Sequence, residues 1–292
     1  MNLVNLKRLI ISGFILEQNK CILMNRLQKM EMLSMSLDAR HYRNNSTVQK
    51  RLADILLSWH VVQPHEVILD VGCGDGVITA KLSTMASQGK VLGIDPSEEM
   101  ITLAKETFPT NDFKNLYFCS GRAEDSHEQK HYSLITALNC LHWVKDLNKA
   151  FQQMHDALLP HGKLLALTYP AESPYWALFT EILQQPQWQS WYAKSICSYW
   201  LTSEDYQQLI QKIGFKILRM ETVSETVTYA TQEAFKDYAN GWLPCLLDAP
   251  SNILADYLDE VAQLMWVKYG DNAAGVTVPY KKLHLYLEKV SA

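Results

Sequence analysis

The segment Val67-Ile68-Leu69-Asp70-Val71-Gly72-Cys73-Gly74-Asp75-Gly76 constrains the fold of this chain more than any other. Its first five residues are almost wholly apolar and do not alternate with polar ones. That is the mark of a strand covered on both faces, as in a parallel sheet. Glycine at every second position of the following loop permits a tight turn. It also lets the backbone approach a ligand with no Cβ in the way. A helix is expected from about Gly76 to Met85. Similar runs recur downstream: Val91 to Asp95, Leu116 to Cys119 and Ser133 to Leu138. Pro96-Ser97 opens a helix whose first turn holds Glu98 and Glu99, where acids are favourable. Another helix runs from Asp146 to about Leu159, and Pro160-His161-Gly162 turns into a fifth strand, Lys163 to Thr168. A sixth strand is read at about Phe215 to Glu225 and the last at about Lys282 to Val290. Strand and helix alternate through short connections, which predicts an α/β, doubly wound, mostly parallel seven-stranded sheet with helices on both faces. Ligands of such sheets bind outside the carboxyl ends of the central strands.

The chain of 292 residues has room for one large domain and a substantial core. Its formal net charge of −4, with no dense Lys/Arg run, supplies no field for nucleic acid. The six cysteines include no CxxC pair and read as reduced thiols of a cytoplasmic protein. No His, Cys and carboxylate cluster has metal-ligand spacing, so no metal is expected. Residues 1–34 read as an N-terminal extension, amphipathic or poorly ordered. Lys7-Arg8 precede an apolar run, Leu9 to Leu16, that is too short to span a bilayer and has no small-residue cleavage site after it. Met30, Met32 and Met35 leave an alternative start open. Residues 35–292 are expected to form the main domain, with helical cap insertions at about 171–200 and 231–279.

The loop motif discriminates between ligands. A dinucleotide fingerprint, G-x-G-x-x-G, would need glycine at position 77, which is Val77. The loop is instead G-x-G-x-G, with an acid before it. Asp95, 25 positions after Asp70, ends the second strand, and a carboxylate there can accept hydrogen bonds from both hydroxyls of a ribose. A bland alternative is that Asp95 caps the helix after Pro96, a task open to Ser97 as well.

These motifs resemble those of class I S-adenosylmethionine methyltransferases, which have a Rossmann-like fold. Leu134 to Val144, with Leu141-His142-Trp143-Val144-Lys145-Asp146 at its end, narrows the resemblance. It is similar to a branch that includes insect juvenile hormone acid, trans-aconitate and malonyl-carrier-protein carboxyl methyltransferases. Tyr42 to Arg51, Pro96 to Met100 and Trp188-Gln189-Ser190-Trp191 extend the likeness to the insect type, over about residues 37 to 290.

The resemblance implies S-adenosyl-L-methionine as cofactor, held by Asp70, Gly72, Cys73, Gly74, Asp95, Pro96, Ala123, Glu124 and Asn139. The loop Gly121-Arg122-Ala123-Glu124-Asp125 departs from the family at Arg122, where an acid often reads adenine. That task then falls to Glu124, the Ala123 backbone or Asp125. The resemblance also implies that Gln49 and Trp143 orient the acceptor's carboxylate. An amide and an indole N–H donate while neutral, so they hold the anion with little blunting of its nucleophilicity. Tyr42, His142, Trp191 and Trp242 are further candidates for contact with substrate. A carboxylic acid is ionised at neutral pH and needs no general base. The expected activity is therefore O-methylation of a small, partly apolar acid to its methyl ester. The alternatives are a malonyl-acyl-carrier-protein methyltransferase, which would take a carrier protein as partner, and a catalytically silent cofactor-binding module. Neither nucleic acid nor a membrane span is expected.

Overall fold

The computed structural model describes residues 55–271 and 275–290, and the elements below lie within these bounds. Eight strands form one sheet: β1 Val67–Val71, β2 Lys90–Asp95, β3 Leu116–Ser120, β4 Tyr132–Leu138, β5 Leu158–Thr168, β6 Phe215–Tyr229, β7 Gly270–Asp271 and β8 Gly275–Lys289. Seven of them lie in the order β3-β2-β1-β4-β5-β8-β6, with the two-residue β7 paired to β8. The first five are mutually parallel, and β8 runs antiparallel between β5 and β6. This is the doubly wound sheet expected from the sequence.

Residue alternation along each buried strand feeds two cores. On one face Leu69, Val71 and Ile135 pack with Phe151 and Met154 of α3 (Leu147–Ala157) and with Tyr206 and Ile210 of α5 (Ser203–Ile213). On the other, Ile68 and Leu134 meet Leu82 of α1 (Val77–Met85) and Ile101 and Ala104 of α2 (Glu98–Thr107). Side-chain caps fix where helices begin. Asp146 accepts from the Lys149 N–H, and Thr202 forms a capping box with Asp205, so each satisfies amide donors that a helix start leaves free.

Three boundaries differ from the sequence reading. Residues 160–162 are not a turn ahead of β5 but an irregularity inside it. The register shifts between Tyr132 and Leu134, and His161 takes a left-handed φ of 63°. β6 continues to Tyr229 and β8 starts at Gly275, so the second helical segment ends at Tyr269 rather than near 279. The physical reason is the partner strand. β5 pairs with β8 only from Lys163↔Glu288 to Thr168↔Leu283, whereas β6 follows β8 as far as Tyr229↔Val276. Beyond β5 the two strands project as a two-stranded ribbon.

That ribbon carries a cap. α4 (Pro174–Leu183) and α7 (Ser251–Tyr269) pack on β8, and α6 (Gln232–Asn240) packs on α7. A bridge from Ser195 to Leu247 ties the two insertions together. The cap has its own core, in which Trp176, Phe179, Phe235, Trp242, Tyr257, Val261 and Val278 come together. No helix among the described residues is long and apolar enough to cross a membrane.

Candidate active site

The site forms where β1, β2 and β4 end. The loop after β1 folds back onto β2: the N–H groups of Gly72 and Cys73 both donate to Ile94 O, at 2.8 and 2.9 Å. Gly72 and Gly74 take φ of 71° and 53°, which only glycine adopts without strain. The two glycines differ in what surrounds them. A Cβ on Gly72 would stand 2.3 Å from the Cβ of Cys140, while one on Gly74 would meet nothing within 4 Å among the described residues. Among these residues Gly74 borders open space, and its N–H donates to Asp95 Oδ2 at 3.0 Å.

Asp95 also accepts from the Ser97 N–H at 2.9 Å, and Ser97 Oγ in turn caps α2 through the Met100 N–H. The capping task thus falls to Ser97, and Asp95 links the loop to the helix start. Burial raises the Asp95 carboxyl above the usual carboxylate range, against the lowering effect of those two N–H groups. Pro96, between them, is half-buried.

Asp70 lies beneath the loop. Its carboxylate accepts from Thr79 Oγ1 of α1 and Thr136 Oγ1 of β4, each at 2.7 Å, so it braces β1 against both neighbours. Burial pushes its pKa up to about 6, with the two hydroxyls opposing. The folded value thus lies above the ordinary 3.8. The native state binds this proton more tightly, and stability falls as pH rises from about 4 to about 6. At neutral pH the ionised group costs the cofactor-free fold about 3 kcal/mol. Asp70→Asn, similar in size and able to meet both hydroxyls, is expected to stabilise the chain by about 1–3 kcal/mol at pH 7.5 and by about a third as much near pH 4.5. Urea melts at the two pH values check this. A variant that loses more stability at pH 7.5 than at pH 4.5 contradicts it.

Asn139 follows β4 with a left-handed φ of 67°, its N–H bound to Leu167 O. Its side-chain Oδ1 is buried without a hydrogen-bond partner among the described residues. In the loop after β3, Ala123 is buried, Glu124 is half-buried and Arg122 is exposed. Asp125 turns back to accept from the Arg122 N–H at 2.7 Å. That bond closes the loop on itself and engages Asp125 locally.

The turn Leu141–Trp143 follows directly on the exit of β4. His142 is buried, and burial pushes its pKa down to about 3, so the ring is neutral at physiological pH. Trp143 packs against His142 at 4.5 Å and Trp242 at 6.1 Å between ring centroids. Trp191 lies elsewhere in the cap, with the Lys194 ammonium 4.5 Å over its ring, and is not among the ring neighbours of Trp143. Gln49 and Tyr42 fall outside the described residues. Sequence reasoning missed Cys140, whose Sγ donates to Val71 O at 3.1 Å and whose Cβ abuts Gly72.

A family model described as a methyltransferase domain matches residues 63–214. Among curated relatives, the juvenile hormone acid O-methyltransferase of Bombyx mori is 23% identical over 270 residues, covering 85% of this chain and 96% of the relative. The malonyl-[acyl-carrier protein] O-methyltransferase 1 of Ilyobacter polytropus is 31% identical over 135 residues, 46% of this chain and 50% of the relative. A solved phosphoethanolamine N-methyltransferase 2 from Haemonchus contortus, in complex with phosphomonomethylethanolamine and S-adenosylhomocysteine, superposes with a TM-score of 0.53 at 18% identity. It covers 83% of this chain and 53% of that one.

Proposed function

Since the chain belongs to the methyltransferase domain family and is an S-adenosylmethionine-dependent enzyme, we propose that it methylates the carboxylate of a small, partly apolar acid to its methyl ester. The residues present fit the cofactor. Open space beside Gly74, the two-point carboxylate of Asp95 and the unpartnered Oδ1 of Asn139 suit a ligand with a ribose and an amino group. In this reading Asp95 takes the ribose hydroxyls, Gly72, Cys73 and Gly74 line the amino-acid portion, and Pro96, Ala123 and Glu124 border adenine. Asp70 holds the loop in place from below. When bound, S-adenosylmethionine supplies an electrophilic methyl group on a sulfonium.

The observation that carries the acceptor class is the wall after β4, where a neutral His142 stands beside Trp143 and Trp242. A histidine held near pKa 3 is a poor general base at pH 7, as an amine or alcohol acceptor would require. A carboxylate arrives ionised and needs only alignment and exclusion of water. Trp143 orients it, together with Gln49, and the aromatic cap shields it. The juvenile hormone acid enzyme, matched along most of this chain, supports the same acceptor class.

A second reading is a malonyl-carrier-protein methyltransferase, with the carrier as partner. The relative bearing that name aligns with under half of this chain, which weakens the reading for the acceptor side. The test is a library of carboxylic acids, amines and alcohols incubated with methyl-labelled cofactor. Base-labile label is expected on apolar acids, at least about ten-fold over amines and alcohols, the factor that about 1.4 kcal/mol of transition-state discrimination gives. Label confined to base-stable products overturns the carboxylate reading.

A further inference from the structure

α4 places Trp176 at the centre of the cap's ring cluster, 7% exposed. Its ring centroid lies 5.8 Å from His142, 6.0 Å from Trp143, 5.3 Å from Trp242 and 5.2 Å from Trp200. Three other polar contacts in this cluster are made. The Trp200 indole N–H donates to His142 O at 2.9 Å, Tyr257 O–H donates to Phe179 O at 2.8 Å, and the hydroxyls of Tyr175 and Tyr229 meet at 3.3 Å. Among the described residues the indole N–H of Trp176 has no partner, and neither has Nδ1 of His142 beside it. Native interiors rarely leave a buried donor unpaired, and such exceptions gather where a ligand completes the bonding. Trp188 also has a buried, unpaired indole N–H, but its ring neighbour is Tyr257 of α7, at 5.4 Å.

We propose that the indole N–H of Trp176, with Nδ1–H of His142, binds the carboxylate of the methyl acceptor on the wall beside Trp143. An indole N–H can only donate, so its missing partner is an acceptor. His142 is neutral and carries one ring proton, which the tautomer can place on Nδ1. Two neutral donors suit an anion that must remain a nucleophile, because neither brings the cationic charge that would hold its electrons back. The rings of Trp143, Trp176 and Trp242 close on one another in the acceptor-free chain, and an incoming acid parts them. The unpaired donors favour this exchange, since they gain a partner as the acid enters.

This inference rests on the carboxylate reading of the acceptor, and the experiment separates the two. The full chain is assayed with the acids of the library, the acid of the juvenile hormone relatives among them, and binding is measured with S-adenosylhomocysteine present. The probes are the best-used acid and its methyl ester. Trp176→Phe keeps an aromatic ring and removes the N–H. It is expected to raise KM for the acid about ten- to a hundred-fold, the loss of one donor to a charged group. Affinities for the methyl ester and for S-adenosylhomocysteine should stay within about two-fold of wild type, because neither depends on an anion at this wall. If Trp176→Phe does not fold, 3-benzothienylalanine at position 176 preserves the indole shape with sulfur in place of N–H, and the same measurements apply. Equal losses for acid and ester, or no loss for either, make Trp176 a packing residue and overturn the inference alone. A wild-type chain that esterifies no acid overturns the inference together with the reading beneath it.

Discussion

Gly72→Ala is expected to destabilise the chain by about 2–5 kcal/mol and to abolish measurable cofactor binding. Two costs add. A side chain at φ 71° carries about 1–2 kcal/mol of left-handed strain. The new methyl would also stand 2.3 Å from Cys140 Cβ and 2.8 Å from its Sγ, an overpacking cost of about 1–3 kcal/mol. Cys140 cannot simply swing away, because its Sγ is bonded to Val71 O and its neighbour Asn139 is fixed by the Leu167 carbonyl. Relief must come from moving the exit of β4 relative to that of β1, the two walls of the cofactor cleft. Gly74→Ala is the control. It carries the conformational cost alone, since nothing lies within 4 Å of the added carbon, and should fold while filling the space a ligand would use. Thermal unfolding and calorimetry with S-adenosylhomocysteine separate the pair. A Gly72→Ala chain within 1 kcal/mol of wild type would show that the loop yields more easily than this packing implies.

The second large effect concerns the acceptor. Trp143→Phe and Gln49→Leu are each expected to reduce kcat/KM for the best acid about ten- to a hundred-fold, corresponding to roughly 1.5–3 kcal/mol per donor lost. Cofactor affinity should scarcely change, because neither substitution alters the proposed cofactor contacts on β1, β2, the loop after β3 and Asn139. The double variant should lose less than the product of the single losses, since two donors that orient one carboxylate act as a unit. Gln49 lies outside the described residues, so the coupling measurement is also a measurement of proximity. Strict additivity would place the two side chains on different tasks. Near-wild-type ester formation by both single variants would remove them from the acceptor's anchor.

The parts of this architecture that could be read in advance share one property: they are local. Val67 to Val71 announces a strand covered on both faces because all its neighbours are apolar, and Gly72, Gly74 and Asp95 announce a ligand because turn, approach and carboxylate occur at strand ends. What escaped reading depends on partners distant in sequence. The strand lengths of β6 and β8 are set by each other's register, out to Tyr229↔Val276, and Thr, Glu and Lys along them gave no apolar run to follow. The bracing of Asp70 depends on Thr136, 66 positions away, whose hydroxyl donates to one of its oxygens. Trp176 and Phe179, three residues apart, lie on the buried face of α4. Whether an indole N–H on that face has a partner is a property of the assembled cap alone.

The cap and the sheet have separate interiors. Tyr175, Phe179, Phe235, Tyr257 and Met265 bury one another above the ribbon, while Leu69, Ile68, Phe151 and Leu82 belong to the cores that flank the sheet. Substitutions more than about 7–10 Å apart with no shared partner act nearly independently. Mutational drift in the cap is therefore only weakly penalised by the stability of the sheet. A lineage, or a protein engineer, can rebuild the aromatic interior of the cap several residues at a time while the glycine loop continues to fold. The ribbon of β6 and β8 is the joint where such exchange is cheapest, since its backbone bonds hold the cap whatever the cap's side chains are.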